Sequence, residues 1–276
     1  MRIDSHHHFW KFSNAEFGWI DDSMAVLRRD HLPAELAQEM AKAGVDGAVS
    51  VQARQTLEET RWLLDLADSH DFIKAVTGWA PIASPDFEKI MEPFLSRRKL
   101  RGLRHVVQDE APGFLDGSDF NRGIGRLKAM NLTYDMLILE RQLEEAIRFV
   151  DRHPDQTFVV DHIAKPRIKD GIIKPWRRHM AELAKRPNVY CKLSGMVTEA
   201  DYSNWTEEQL KPYFDGALQT FGPGRLMLGS DWPVCRVGIT YQRWFEILGA
   251  VISRFSPDER AAMESRNAVT AYGLDV

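Results

Sequence analysis

Eight short runs of β-branched and apolar residues recur along this chain, each followed by a stretch whose apolar residues return every three to four positions. The runs fall at 2–5, 45–52, 73–80, 102–108, 132–139, 157–161, 188–193 and 226–230. Helical stretches are read at 33–42, 57–69, 85–96, 120–130, 142–152, 174–185 and 207–221, with 240–254 and 257–272 after the last run. Parallel strands cannot be joined by a tight turn, so this alternation predicts helical crossovers and a parallel sheet. Eight such units in 276 residues match the inventory of an α/β protein of the (β/α)8 TIM-barrel class, for which about 250 residues is typical. An open doubly wound sheet is the competing fold, and the lack of a GxGxxG after the first run weakens its dinucleotide-binding form. No linker, low-complexity tract or repeat divides the chain, so residues 1–276 are read as a single domain.

Charge and cysteine content narrow the partners. A net charge of −4 leaves no basic footprint, so no nucleic acid is expected. No apolar run approaches the ~20 residues of a membrane helix, and the N-terminus lacks the basic-then-apolar layout of a signal peptide. Cys191 and Cys235 are too few for a disulfide framework. The expectation is a cytoplasmic protein that acts on a small molecule; the oligomeric state is not legible.

A barrel of this class carries its chemistry at the C-terminal ends of its strands. The opening MRIDSHHHFW puts His6, His7 and His8 there, in an apolar frame unlike a purification tag. In extended chain, residues i and i+2 share a side, so His6 and His8 are expected to face one point and His7 to face away. The other ends bring Gln52 and Arg54, Trp79, Arg104 and His105, Tyr134 and Asp135, Asp161-His162 with Lys165, Lys192 and Ser194, and Ser230-Asp231-Trp232. Ionisable groups on apolar strands such as FVVDH and LMLGSD need partners, a ligand or a metal. Plainer readings stand beside these. An HxH pair arises by chance, Asp231 suits a helix N-cap with Pro233 in the first turn, His162 suits a satisfied core histidine, Lys165 a solvated loop charge, and His105 simple packing. His31, His70, His153 and His179 are read as surface residues and Trp79 as core. Trp19, in a glycine-containing loop, is placed to cover a bound ring.

The stretches IDSHHHFW at 3–10, VSVQARQTLEET at 49–60, RGLRHVVQDE at 101–110, VVDHIAKP at 159–166, YCKLSGMVTEADYSNW at 190–205 and FGPGRLMLGSDWPVC at 221–235 together resemble the amidohydrolase-related (amidohydrolase 2) group of the amidohydrolase superfamily. Within it the chain is most similar to sugar lactonases of the L-fuconolactonase and L-rhamnonolactonase type, over almost its whole length. The resemblance implies that His6 and His8 are the HxH pair, His162 the strand-end histidine and Asp231 the aspartate that activates water. Two departures stand out. Position 7, usually Gln in these lactonases, is His7, and no bridging lysine ends the fourth or fifth strand, which argues against a binuclear centre.

Opening a lactone needs a positioned water, a base for its proton, and donors or a cation where the carbonyl oxygen becomes negative. The expected assignment is Asp231 as general base. His6, His8 and His162, with Asp231, either hold one divalent metal such as Zn²⁺ or hold water and carbonyl oxygen directly. A lactone is an activated ester with a lower barrier than an amide, so the sequence leaves open whether the metal is required or dispensable. Trp19, Gln52, Arg54, Arg104, His105 and Lys165 are the expected substrate-binding residues. Two alternatives are a metal-dependent decarboxylase of the same superfamily, told apart by its product CO₂, and a non-catalytic sugar-acid binding protein, told apart by binding without turnover.

Overall fold

The computed structural model describes residues 1–275. Eight parallel strands hydrogen-bond in sequence order: β1 Ile3–His7, β2 Gly47–Val51, β3 Ile73–Gly78, β4 Leu100–His105, β5 Thr133–Met136, β6 Phe158–Val160, β7 Val189–Leu193 and β8 Leu226–Leu228. Closure back to β1 comes just beyond β8, where the His8 amide donates to Trp232 O (2.7 Å) and the Asp231 amide to His6 O (2.8 Å). The expected (β/α)8 barrel is therefore the fold.

The outer layer is α1 Pro33–Ala43, α2 Leu57–Ser69, α3 Phe87–Leu95, α4 Ser118–Leu127, α5 Leu143–Asp151, α6 Lys174–Leu183, α7 Glu207–Phe221 and α8 Tyr241–Ile252, followed by α9 Pro257–Ala261 and α10 Asn267–Tyr272. Local chemistry sets several boundaries. Pro33 opens α1 and Gly44, left-handed at φ 64°, ends it. Thr206 and Gln209 form a capping box at α7, as do Ser256 and Glu259 at α9. The stretch expected as one helix over 257–272 is interrupted by a π-turn at Ala262–Arg266. The run at 132–139 yields only Thr133–Met136, because its pairing to β6 ends at Met136 and Val160.

Alternation along the strands sorts the core into two compartments. Leu103, Tyr134, Phe158, Cys191 and Leu228 pack outward under the helices, and Ile3, Val49, Ala75, Val159 and Met227 pack inward. The inward set is sealed at the N-terminal end of the barrel by Ala268, Ala271, Tyr272 and Leu274 of the C-terminal segment. Each fully buried Ile, Val or Met of the inward set contributes roughly 1.5–3 kcal/mol. With that end closed, the C-terminal mouth is left for the polar strand ends.

Candidate active site

Ile3 and His6 both point inward although they are three residues apart, which a regular pleat forbids. The register shift between Asp4 and His7 supplies the missing residue. From there His6 and His8 alternate normally, and His7 faces away, with Nε2 2.9 Å from Ser50 Oγ. Asp4, turned out of the barrel, accepts from the Ser230 amide (2.8 Å) and hydroxyl (2.5 Å), tying β1 to the segment that carries Asp231. Asp231 itself is left-handed at φ 59°. Its carboxylate does not cap a helix, since the turn that follows begins from Pro233.

Three imidazoles converge on that carboxylate. Asp231 Oδ1 lies 3.8 Å from His6 Nε2, 3.5 Å from His8 Nε2 and 3.8 Å from His162 Nε2. The far nitrogens are held: His8 Nδ1 bonds Val51 O (2.8 Å) and His162 Nδ1 bonds Ser194 Oγ (2.9 Å). Nδ1 of His6 meets both a donor, Lys192 Nζ at 3.2 Å, and an acceptor, Asp161 Oδ1 at 3.3 Å, so either neutral tautomer is satisfied. Burial holds His6 well below its usual pKa and His162 at about 4, against the pull of nearby carboxylates, so both are neutral at pH 7. Burial pushes Asp231 up, but His162, His8 and Lys165 outweigh it and keep the carboxylate ionised.

Under the histidines lies a cluster of four charges. Lys192 Nζ sits 2.7 Å from Asp135 Oδ2 and 2.9 Å from Asp161 Oδ1, and Arg104 Nη1 donates to Asp161 Oδ2 at 2.9 Å. Two acids and two bases balance with all four side chains buried. Tyr272 donates from below to Asp135 (2.8 Å), so the C-terminal plug also supports the site. Burial raises Asp135 despite Lys192, whereas Lys192, His6 and Arg104 together overcome burial at Asp161 and hold it well below its usual range.

After β6 the chain takes four consecutive left-handed residues without a glycine: His162, Ile163, Ala164 and Lys165, at φ 52°, 48°, 59° and 45°. At about 1–2 kcal/mol each this stores roughly 4–8 kcal/mol. The turn is held by a Trp176 Nε1 bond to Ile163 O (2.7 Å) and by Ser194 on the His162 ring. Gly195, at φ 62°, is required beside it, because a Cβ there would lie 2.4 Å from His162 Nδ1.

A cavity of about 410 Å³ opens above, lined by His8, His162, Asp231, Arg104, Lys165 and Trp19 among others. Trp19, 47% exposed, stands at its rim with Trp10. Three expected substrate contacts lie elsewhere. Gln52 is buried behind the wall, where it accepts from Arg104 Nε (3.0 Å) and Nη2 (2.7 Å). His105, one residue past inward-facing Arg104, points outward by strand alternation, stacks on Phe114 and bonds Glu110 (2.8 Å). Arg54 is drawn to Glu16 and to buried Glu59, beside a neighbouring pocket. His31, read as surface, is fully buried between Trp10 and Trp232. Trp79, read as core, is half-buried and donates to His105 Nδ1 (3.3 Å).

A family model described as Amidohydrolase matches residues 3–274. The chain belongs to this family. This amidohydrolase is 40% identical to an L-fucono-1,5-lactonase of Burkholderia multivorans, over 99% of the chain and 96% of that protein. It is 36% identical to an L-fucono-1,5-lactonase of Burkholderia ambifaria, over 100% of the chain and 96% of that protein. A crystal structure of an amidohydrolase from Burkholderia multivorans with bound Zn superposes with a TM-score of 0.94, at 40% identity and full coverage of both chains.

The donor set of this amidohydrolase fits a divalent cation. Nε2 of His6 and of His8 lie 3.2 Å apart with Asp231 Oδ1 beside them. With both Nδ1 atoms protonated, two lone pairs face each other there, an arrangement relieved by a cation between them. The sequence placed Asp135, Asp161 and Lys192 at strand ends but assigned them no role, and it did not single out Tyr272 from the C-terminal segment or Glu199 of the cavity wall. The signal available was an ionisable residue inside an apolar run, as in VYCKL and TYDML. Which of them meet was not readable, since β5, β6 and β7 contribute one inward residue each and Tyr272 arrives from the far end of the chain.

Proposed function

We propose that this amidohydrolase opens a sugar lactone, of the aldonolactone kind represented by L-fucono-lactone, to the sugar acid. The observation that carries the reading is Asp231, an ionised carboxylate facing the imidazoles of His6, His8 and His162 at the floor of a cavity large enough for one sugar ring. The names of the two Burkholderia relatives, over nearly the full chain, support the substrate class.

Asp231 orients the attacking water and takes its proton. His6, His8, His162 and Asp231 would hold one Zn²⁺, which when bound supplies a Lewis acid for the carbonyl and lowers the pKa of water. The activated ester keeps the reaction within reach of the side chains alone. Arg104 does not reach for substrate: its Nε and Nη2 are committed to Gln52 and its Nη1 to Asp161, so it fixes the wall instead. Trp19, exposed at the rim, offers an aromatic face to the sugar ring.

The test is proton release from a panel of L- and D-aldonolactones, L-fucono- and L-rhamnono-lactone included, with the spontaneous rate subtracted. Enzyme-dependent acid release, reduced about 10³-fold or more by Asp231→Asn, is the expected result. No rate above background on any lactone overturns the reading.

A further inference from the structure

Lys165 reaches the cavity through the four-residue left-handed turn. In such tight helical geometry residues i and i+3 fall on one side, so His162 and Lys165 are presented together. A solvated loop lysine has no use for roughly 4–8 kcal/mol of backbone strain. Lys165 Nζ makes one ion pair among the described residues, to Glu199 Oε1 at 3.4 Å. That is longer than the 2.7–2.9 Å of a charge-assisted hydrogen bond, so its protons remain free to turn toward a ligand.

Among the other polar groups of the wall, Glu199 competes as a proton carrier, since burial raises its carboxyl, but it is paired to Lys165 itself; the remaining groups are poorer donors. Arg104 is committed to Gln52 and Asp161. Gln55, Gln108 and Thr198 are not acids. The hydroxyl of Tyr202 is pushed above its usual value by burial and by Glu199 and Asp21. Asp231, held ionised, is the base.

From this geometry, and resting on the lactonase reading, we infer that Lys165 is the general acid that protonates the ring oxygen as it leaves. Asp231 takes one proton from water as the water oxygen bonds to the carbonyl carbon. The bond from that carbon to the ring oxygen then breaks with its electron pair on the oxygen. Lys165 gives that oxygen a proton to form the new hydroxyl, and the carboxylic acid product loses its own proton to solvent. Asp231 returns its proton through solvent to the Lys165 amine, and the cycle closes. Glu199, which lines the same cavity beside Nζ, is a positioning residue that holds the ammonium there.

Lys165→Arg and Lys165→Ala separate a proton donor from a positive charge. Arg keeps the charge and the partner Glu199 but cannot give up a proton, so kcat on the best aldonolactone should fall about 10²–10⁴-fold in both variants. In Lys165→Ala, methylammonium and ethylammonium should restore rate in proportion to concentration, whereas guanidinium and tetramethylammonium should not; a merely structural role shows no such selectivity. Lys165→Arg within threefold of wild type, or an Ala variant that no primary ammonium restores, overturns the assignment while leaving lactone hydrolysis intact. Wild type opening no lactone overturns both.

Discussion

Replacing Lys192 by Met tests whether the buried charge cluster stands by mutual compensation. Met matches the stem of lysine in length and flexibility and removes only the ammonium. Lys192 Nζ faces Asp135 at 2.7 Å, Asp161 at 2.9 Å and His6 at 3.2 Å, all without solvent. Without it, two buried carboxylates share the single charge of Arg104. Breaking a buried pair in this way costs about 3–5 kcal/mol. The cost is capped there because Asp135, already raised by burial, takes up a proton once Lys192 is gone. For a chain of this size each kcal/mol shifts Tm by about 2–4 °C, so calorimetry should report a fall of roughly 6–20 °C. The pH dependence has a fixed sign. With its folded pKa raised above the unfolded value, Asp135 contributes stability that is fully present below the unfolded value and lost as pH rises through the folded one, so Lys192→Met should lose most ground at high pH. Adding Asp135→Asn should recover about 2 kcal/mol or more through coupling. A Lys192→Met protein within about 1 kcal/mol of wild type, or a double variant showing simple additivity, refutes the reasoning.

Gly195→Ala adds a Cβ 2.4 Å from His162 Nδ1 at a left-handed position, so a stability loss of about 1–3 kcal/mol and a fall in kcat larger than any change in KM are expected; unchanged kinetics would remove Gly195 from the support of His162. Burial raises the pKa of Glu59 from 4.5 to about 7 against the Arg54 and Ala53 amides. Its contribution is therefore full below pH 4.5 and lost as pH rises through about 7, a span of about 3 kcal/mol. Glu59→Gln, whose amide oxygen still accepts those two amides, should flatten the stability curve between pH 5 and 8, and parallel curves for the two proteins count against a buried, protonated Glu59. Zn²⁺ added to metal-stripped protein should stabilise it by about 2.7 kcal/mol at 100 times Kd, read as a rise in Tm, and His8→Ala should abolish the rise; an equal rise in the variant places the ion elsewhere.

Much of the fold was written locally. Strand and helix periodicity does not depend on what the chain later packs against, so eight βα units, and with them the barrel, could be read from spacing. The HxH of His6 and His8, Asp231 and His162 were legible because each sits at a strand end, where this architecture gathers chemistry. Lys165 was legible as a polar residue of the same loop, but not the left-handed turn that delivers it. Arg104 and His105 are adjacent in sequence and opposite in role, since alternation sends one into the barrel and the other under the helices, and only strand register decides which.

The sequence by itself determined the order of elements, the polar strand ends and the residue types able to activate water, because those properties are carried by single residues and their near neighbours. Only the tertiary structure decided which charges compensate one another. Lys192 on β7, Asp161 after β6, Asp135 on β5, Arg104 on β4 and Tyr272 from α10 come from distant points of the chain. Their energies depend on separations of about 3 Å and on the exclusion of water, and neither exists until the barrel has closed around them.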